Sequence, residues 1–545
     1  MEATQQRIRW FVPGDINGFF GLMVDNVAML AFLAAILLGC GFPAEIVFGK
    51  MFPGTALGVL FGDLVYSWMA WRLAKRTGNP NVTSMPLGLD TPSTIGLALA
   101  VLVPVFNLES SRMISEAAIM GMPLTQADVA TAAAEMAWYV GMAIMVCIGL
   151  FKVLFAYIGP WLQKLIPGAA LLGSLAGIGF ALLGFLPLVD IFGLPIVGAL
   201  SLGLILYAVI ARIKLPFNIP GVLMAVIAGS ALYYLLAPSG LLGVQYSAPM
   251  ADLHLGFPMP TLDFARGMEM ALNFLPVAIP FALLTSIGGI NVTESARAAG
   301  DDYKTKTVLL VDAASALIAG VCGGVVQTTP YIGQPAYKAM GSRIGYTLLV
   351  GVFVGLGGML GYVSFIVELI PKAVLAPILV FVALEIISQA FRVGGSRYAP
   401  AVAFACFPTI SNMLTIKLNS PDFAASAQAA LSHLPGKALP EMLVVLSLGN
   451  GFIITAMLWG AAVIKLIDRK LHQASAYFLT LSVLSFFGLI HSVNTNGSMY
   501  LPWTLPAPLY QIPYQFSAAY LVLALVIFAL SYTKQSREAF PEHGH

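Results

Sequence analysis

The residues best suited to holding a polar solute lie in "VVQTTPYIGQPAYK", Val325 to Lys338. Two threonines, two tyrosines and two glutamines sit among two prolines and a glycine, at the end of a charge-free run from Ala313 that reads as a membrane helix to Val326. Proline lacks the N–H that a helix needs, and hydrocarbon offers no hydrogen bonds in exchange. A broken backbone at membrane depth is tolerated only when buried in protein or lining a wet cavity. "TSMPLGLDTPST", Thr83 to Thr94, repeats the pattern. Both stretches place hydroxyls before a proline (Pro86, Pro330), then a glycine (Gly88, Gly333), a polar residue (Asp90, Gln334) and a second proline (Pro92, Pro335). Backbone N–H groups freed by such breaks, with the positive ends of half-helices, suit an anion or a carbonyl oxygen.

The elements that must carry these stretches follow from composition. The chain has 545 residues, 59% hydrophobic and only 10% charged, with a mean hydropathy of +0.88. Soluble domains carry roughly 25% charged residues, so a multi-spanning membrane protein is expected. Apolar segments near twenty residues long suit helices rather than the alternating ten-residue strands of a barrel. Sixteen segments are expected: 15–40, 45–71, 84–106, 131–157, 165–187, 193–211, 219–237, 267–293, 307–326, 327–341, 344–367, 371–391, 398–416, 441–466, 474–493 and 514–532. Of the 27 Lys and Arg, only Lys50, Arg112, Arg266, Lys372, Lys417 and Lys437 fall on one side, Lys152 lies inside a segment, and the others share the opposite side. The positive-inside rule then puts both termini in the cytoplasm of a multi-pass inner (plasma) membrane protein. The start, "MEATQQRIRWFVPGD", has no signal-peptide pattern, so the first segment is expected to remain a membrane helix.

The two broken stretches are the third segments of two halves. A second pair keeps the register: "KLIPGAALLGSLAGIGFALL" from Lys164 opens segment five, and "ELIPKAVLAPILVFVALEII" from Glu368 opens segment twelve. Seven segments separate each pair, and seven is odd, so the halves are inverted. Inverted repeats with interrupted segments in matching places point to a transporter binding site near the midplane.

"LLVDAASALIAGVCGGVVQTTPY" (Leu309 to Tyr331), "PLGLDTPS" and "LLTSIGGINVTESARAAG" (from Leu283) together resemble the nucleobase transporter family of uracil permease and the adenine/guanine/hypoxanthine permeases. The resemblance implies an all-α polytopic 7+7 inverted-repeat fold of fourteen core helices, with short strands in segments three and ten. It implies a substrate-binding core domain (15–157 and 267–367) working against a gate domain (160–237 and 371–466). It also implies a homodimer formed through the gate. Residues 474–532 would be two extra C-terminal helices. The family's two substrate-binding acids are absent: Thr285 occupies the helix-eight position and Ile332 lies near the helix-ten position.

Ionisable residues inside membrane helices cost about 2.5–3.5 kcal/mol each at the centre and need a reason. Asp25 and Asp90 are the candidate coupling and substrate-binding acids, Asp90 because it lies in the broken stretch and Asp25 as a replacement for the lost carboxylate. Asp312 and Glu385 are expected to be structural, and Asp63 is open between the two roles. Thr285, Ser286, Thr328, Thr329, Tyr331 and Gln334 complete the candidate substrate set, with Tyr331 offering an aromatic face. Such hydroxyls also simply join helices.

The expected function is a secondary transporter for a small polar solute, nucleobase-like by the resemblance and proton-coupled through Asp25 or Asp90. The alternative is an anion transporter of the sulfate/bicarbonate type, which shares the inverted-seven plan and relies on few acids. An enzyme is not expected. The six histidines show no HExxH, no GxxxxGK[ST] is present, and no cofactor, metal or nucleic acid is implied. Cys40, Cys147, Cys322 and Cys406 lie in apolar segments and read as small buried hydrophobes.

Overall fold

A computed structural model describes residues 8–120, 125–165, 168–211, 213, 215, 221–243, 246, 252–331, 333–418, 441–494, 499–505, 509 and 511–533. Among these residues ten helices are long and apolar enough to cross a membrane, or twelve if each of two bent pairs counts as one span. Each of the sixteen expected segments coincides with an element. Those beyond the twelve are short or broken: 195–208, Thr305–Val321, the strand-containing tenth segment, and Leu471–Phe486. The fold is the helical 7+7 inverted-repeat transporter fold.

The chain forms two compact units, Met1–Leu162 with Pro187–Phe381, and Gln163–Leu186 with Val382–His545. One boundary falls just before segment five, one at its end and one inside segment twelve. In the first unit, α1 (Gly14–Gly39) starts after Pro13, and Asp15 in its first turn accepts the Val12 N–H at 2.8 Å. Helix α2 (Phe52–Thr77) carries Lys75 and Arg76 in its last turn and stops at Gly78 in the left-handed region. Strand β1 (Leu87–Leu89) leads into α3 (Thr91–Leu97), which the chain continues as one span to Ala117. Helix α4 (Gln126–Leu165) follows.

The second repeat supplies α5 (Leu275–Ala298), α6 (Thr305–Val321), β2 (Thr328–Pro330), the short α7 (Gln334–Ala339), α8 (Gly345–Leu360) and α9 (Tyr362–Leu369). Helices α8 and α9 meet at 84° across Gly361, whose φ of +79° favours glycine. Close packing of α2 on the end of α6 also needs glycine. A Cβ on Gly54 would lie 2.2 Å from the Gly324 nitrogen.

Two strands from opposite halves pair at the centre of this unit. They are antiparallel, with Leu87 opposite Pro330, Gly88 opposite Thr329 and Leu89 opposite Thr328. The short strands expected in segments three and ten are therefore present and joined to each other.

In the second unit, α10 (Glu441–Gly449) and α11 (Phe452–Ile467) are bent by 81°. The last helices, α12 (Leu471–Phe486) and α13 (Gln511–Leu530), pack on α11 through Leu458, Ala462, Phe478, Leu481 and Ile527. The chain between them serves the bend: the His491 N–H donates to the Asn450 carbonyl at 3.0 Å, and Asn450 Nδ2 donates to the Ser492 carbonyl at 2.8 Å.

Candidate functional site

The β1–β2 ribbon is a two-stranded sheet inside a membrane protein, so both outer edges need partners. Tyr331 N–H donates to the Pro86 carbonyl at 2.8 Å and Asp90 N–H to the Gln327 carbonyl at 2.9 Å. Antiparallel pairs alternate between bonded and non-bonded. With bonded pairs at 86/331 and 90/327, the Leu87 and Leu89 N–H groups and the Thr328 carbonyl point outward. Side chains meet all three. Leu89 N–H donates to Asn26 Oδ1 at 2.9 Å, Leu87 N–H to Asp63 Oδ1 at 3.2 Å, and Lys152 Nζ donates to the Thr328 carbonyl at 2.6 Å.

Lys152 comes from α4 and is 1% exposed, as is its ion-pair partner Asp312 on α6, 2.8 Å away. Asp312 Oδ1 also accepts the Thr328 hydroxyl at 3.0 Å. The structural role expected for Asp312 is thus visible as a bond to both Lys152 and β2. Sequence reading treated Lys152 only as a stray charge. The available signal was that Lys152 is the basic residue assigned to neither side of the membrane, with Asp312 in the segment just before the broken stretch.

The eight candidate substrate residues separate by accessibility. Asp25, Asp90, Thr329 and Tyr331 are half-buried, while Thr285, Ser286, Thr328 and Gln334 are buried. The buried four are engaged within the protein. Thr285 bonds the Phe281 carbonyl at 3.0 Å and receives the Gln327 amide; Ser286 bonds the Ala282 carbonyl at 2.7 Å. Gln334 Nε2 donates to Asp301 Oδ2 at 2.8 Å, and Asp301 also accepts the Thr83 N–H at 3.2 Å and pairs with Lys338 at 2.7 Å. This network ties the start of the first broken stretch and the end of the second to the loop after α5. Tyr303 in that loop donates to the Thr83 carbonyl at 2.7 Å. Burial, with the Asp301 charge beside it, holds the Tyr303 hydroxyl well above its usual range, so it remains a donor.

The half-buried four lie along and beside the ribbon. Asp90 is the N-cap of α3, its Oδ2 accepting the Ser93 N–H at 2.9 Å. That half-helix end is therefore closed by its own carboxylate rather than offering a free N–H at this position. Tyr331 lies against Gly88, where a Cβ would approach its ring to 3.2 Å, and beside the Asp25 carboxyl. Asp25 Oδ2 is buried without a hydrogen-bond partner among the described residues. Ile332 and the Glu385 side chain lie outside the described residues. No group of three or more His, Cys, Asp or Glu suited to a metal ion occurs among the described residues.

The chain matches no family model and no curated protein sequence. It is similar to solved structures of anion transporters. SLC26A9 is 14% identical with a TM-score of 0.53, over 86% of this chain and 66% of that one. Murine Solute Carrier 26 family member A9, described as an anion transporter in the inward-facing state, is 13% identical with a TM-score of 0.52, over 85% of this chain and 70% of that one. The transmembrane domain of a cyanobacterium bicarbonate transporter, BicA, is 16% identical with a TM-score of 0.49, over 74% of this chain and 98% of that one.

These neighbours overturn the nucleobase-permease resemblance. The broken third and tenth segments on inverted sevens, which suggested it, belong to the architecture that both groups share. The residues that would have carried a nucleobase, the two acids, are the ones missing. In their place the Thr285 hydroxyl is consumed by the Phe281 carbonyl and Gln327.

Proposed function

We propose that this protein is a secondary transporter for a small inorganic or carboxylate-sized anion. The observation that carries the reading is the β1–β2 ribbon, two interrupted segments of opposite repeats meeting inside the membrane. It is supported by a fold shared with an SLC26 anion transporter. Thr329 and Tyr331 are partly accessible on one face of β2. Asp25 and Asp90 are on the same side, so an anion entering alone meets negative charge. A proton or cation carried with it offsets that repulsion. Asp25 is the coupling group in this reading, because it is partly accessible beside Tyr331, whereas Asp63, whose Oδ2 is likewise without a partner among the described residues, is wholly buried and holds the Leu87 N–H. Asp90 fixes α3 through the Ser93 N–H.

Movement of a core (15–157, 267–367) against a gate (160–237, 371–466) would carry the anion by alternating access. The gate would form the dimer contact. The charge asymmetry of the loops supports an inner-membrane protein with both termini in the cytoplasm. Purified protein in liposomes tests the function with radiolabelled bicarbonate, sulfate and chloride. Saturable uptake of at least one is expected, and no uptake above empty liposomes for any of them would overturn the reading.

A further inference from the structure

Lys152 is buried, basic and distant from either end of its helix, yet it does not line the accessible face. Its ammonium touches two things, the Asp312 carboxylate at 2.8 Å and the Thr328 carbonyl at 2.6 Å. Thr328 in turn bonds Asp312 at 3.0 Å through its hydroxyl. The three groups form a closed ring: α4 to β2, β2 to α6, and α6 to α4. Removing any one leaves a buried polar atom of the others without a partner.

The outer edges of the ribbon are held unequally. On β1 two N–H groups are held by Asn26 and Asp63. On β2, Pro330 has no N–H to offer. The Thr328 carbonyl is where β2 is held from outside, and Lys152 is what holds it. Thr328 is followed directly by Thr329 and, two residues later, by Tyr331, the β2-side residues on the accessible face. A shift of one residue in a strand would turn every side chain to the opposite face. Asp90 lies at this same end of the ribbon, its N–H bonded to the Gln327 carbonyl one residue before Thr328.

We propose that Lys152, with Asp312, is a positioning residue for substrate binding: it fixes the register of β2 through the Thr328 carbonyl and thereby holds Thr329 and Tyr331 toward the solute. It acts through the strand and does not contact the solute itself. The proposal rests on the anion-transport reading for its binding readout, and on the ribbon geometry alone for its structural one.

Because a single neutralisation leaves an unpaired buried charge, the test uses charge-balanced doubles. Lys152→Met with Asp312→Asn removes the hold on Thr328. Lys152→Gln with Asp312→Asn restores an amide donor to the carbonyl without charge. Two measurements apply to each. One is hydrogen–deuterium exchange of peptides covering residues 325–331. The other is binding of whichever of bicarbonate, sulfate or chloride stabilises the wild type in a thermal-shift series.

The Met double is expected to exchange at least about tenfold faster at the Thr329 amide and to bind the anion at least about tenfold more weakly, while melting near the wild type. The Gln double is expected to recover most of both. A Met double with wild-type exchange and affinity would overturn the proposal, as would a Gln double as impaired as the Met double. If the Met double does not fold, the Gln double decides: near-wild-type values support the proposal and a tenfold loss refutes it. If no anion stabilises the wild type, the transport reading fails and the exchange measurement alone judges the role of Lys152.

Discussion

Asn26 offers the cleanest perturbation of the ribbon, because its side chain is wholly buried and does one identifiable job for another segment. Its Oδ1 accepts the Leu89 N–H at 2.9 Å. Its Nδ2 donates to the Leu22 carbonyl one turn back at 3.0 Å, an oxygen that the helix already uses. Asn26→Leu keeps the number and branching of side-chain heavy atoms, so it opens no cavity. What it removes is the acceptor of a buried strand N–H, which costs about 1–3 kcal/mol when left unmade. At about 1.4 kcal/mol per factor of ten, local opening at Leu89 becomes roughly 5- to 150-fold more frequent. Hydrogen–deuterium exchange on purified protein, read at peptides spanning Leu87 to Leu89, measures this directly. Asp63→Asn is the internal control. It keeps an oxygen facing the Leu87 N–H, now 3.2 Å from Asp63 Oδ1, so that amide should change little. If Leu89 exchanges at the wild-type rate in Asn26→Leu, the ribbon edge is not held by Asn26, and the reasoning about edge capping fails.

Three further outcomes are expected. Asp25→Asn should abolish the response of anion uptake to an inward proton gradient in liposomes, with protein yield preserved; uptake that still follows the gradient would remove Asp25 as the coupling group. Gly54→Val should sharply reduce the yield of monodisperse protein, because a Cβ at Gly54 already meets the Gly324 backbone at 2.2 Å, whereas Gly49→Val, with nothing within 4 Å, should not. Reporter fusions ending at Lys75 and Lys306 should both report the cytoplasm, and a periplasmic signal from either would break the parity derived from loop charge.

Architecture was legible because it follows from patterns that act over long stretches. Apolar length gives spans, and the spacing of Pro86, Pro92, Pro330 and Pro335 marks the two segments that could not be continuous helices. The pairing of "LIP" at segments five and twelve gave the inversion. Substrate class was less legible, because the same breaks serve any solute that the fold carries. Within the candidate site the sequence showed residue type but not direction. Thr328 and Thr329 are adjacent and identical, yet in a strand adjacent side chains point to opposite faces. One is spent on Asp312 and the other is partly accessible. Gln334 matched Asp90 in the repeat, but Asp90 caps a helix beside the ribbon while Gln334 binds Asp301 on a loop from elsewhere in the chain. No local pattern reveals such a long-range partner.

The same edge logic accounts for the acids that an anion site would otherwise disfavour. Asp63 and Asp312 carry charge into the membrane interior, and each has a structural assignment: one accepts a strand N–H, and the other is neutralised by Lys152 while holding Thr328. Asp90 is committed to the Ser93 N–H. Asp25 differs from these in holding no backbone group of the ribbon: its carboxyl lies beside Tyr331, and its Oδ2, like that of Asp63, has no hydrogen-bond partner among the described residues. A ribbon held by helices α1, α2, α4 and α6 at its edges cannot slide without releasing several buried hydrogen bonds at once, each costing about 1–3 kcal/mol if left unmade. Solute translocation by sliding of the strands is therefore disfavoured relative to movement of the ribbon together with the helices that cap it. In the proposed reading, a coupling ion held at Asp25 would then travel with the ribbon, since Asp25 lies on α1, the helix that also holds the Leu89 N–H through Asn26.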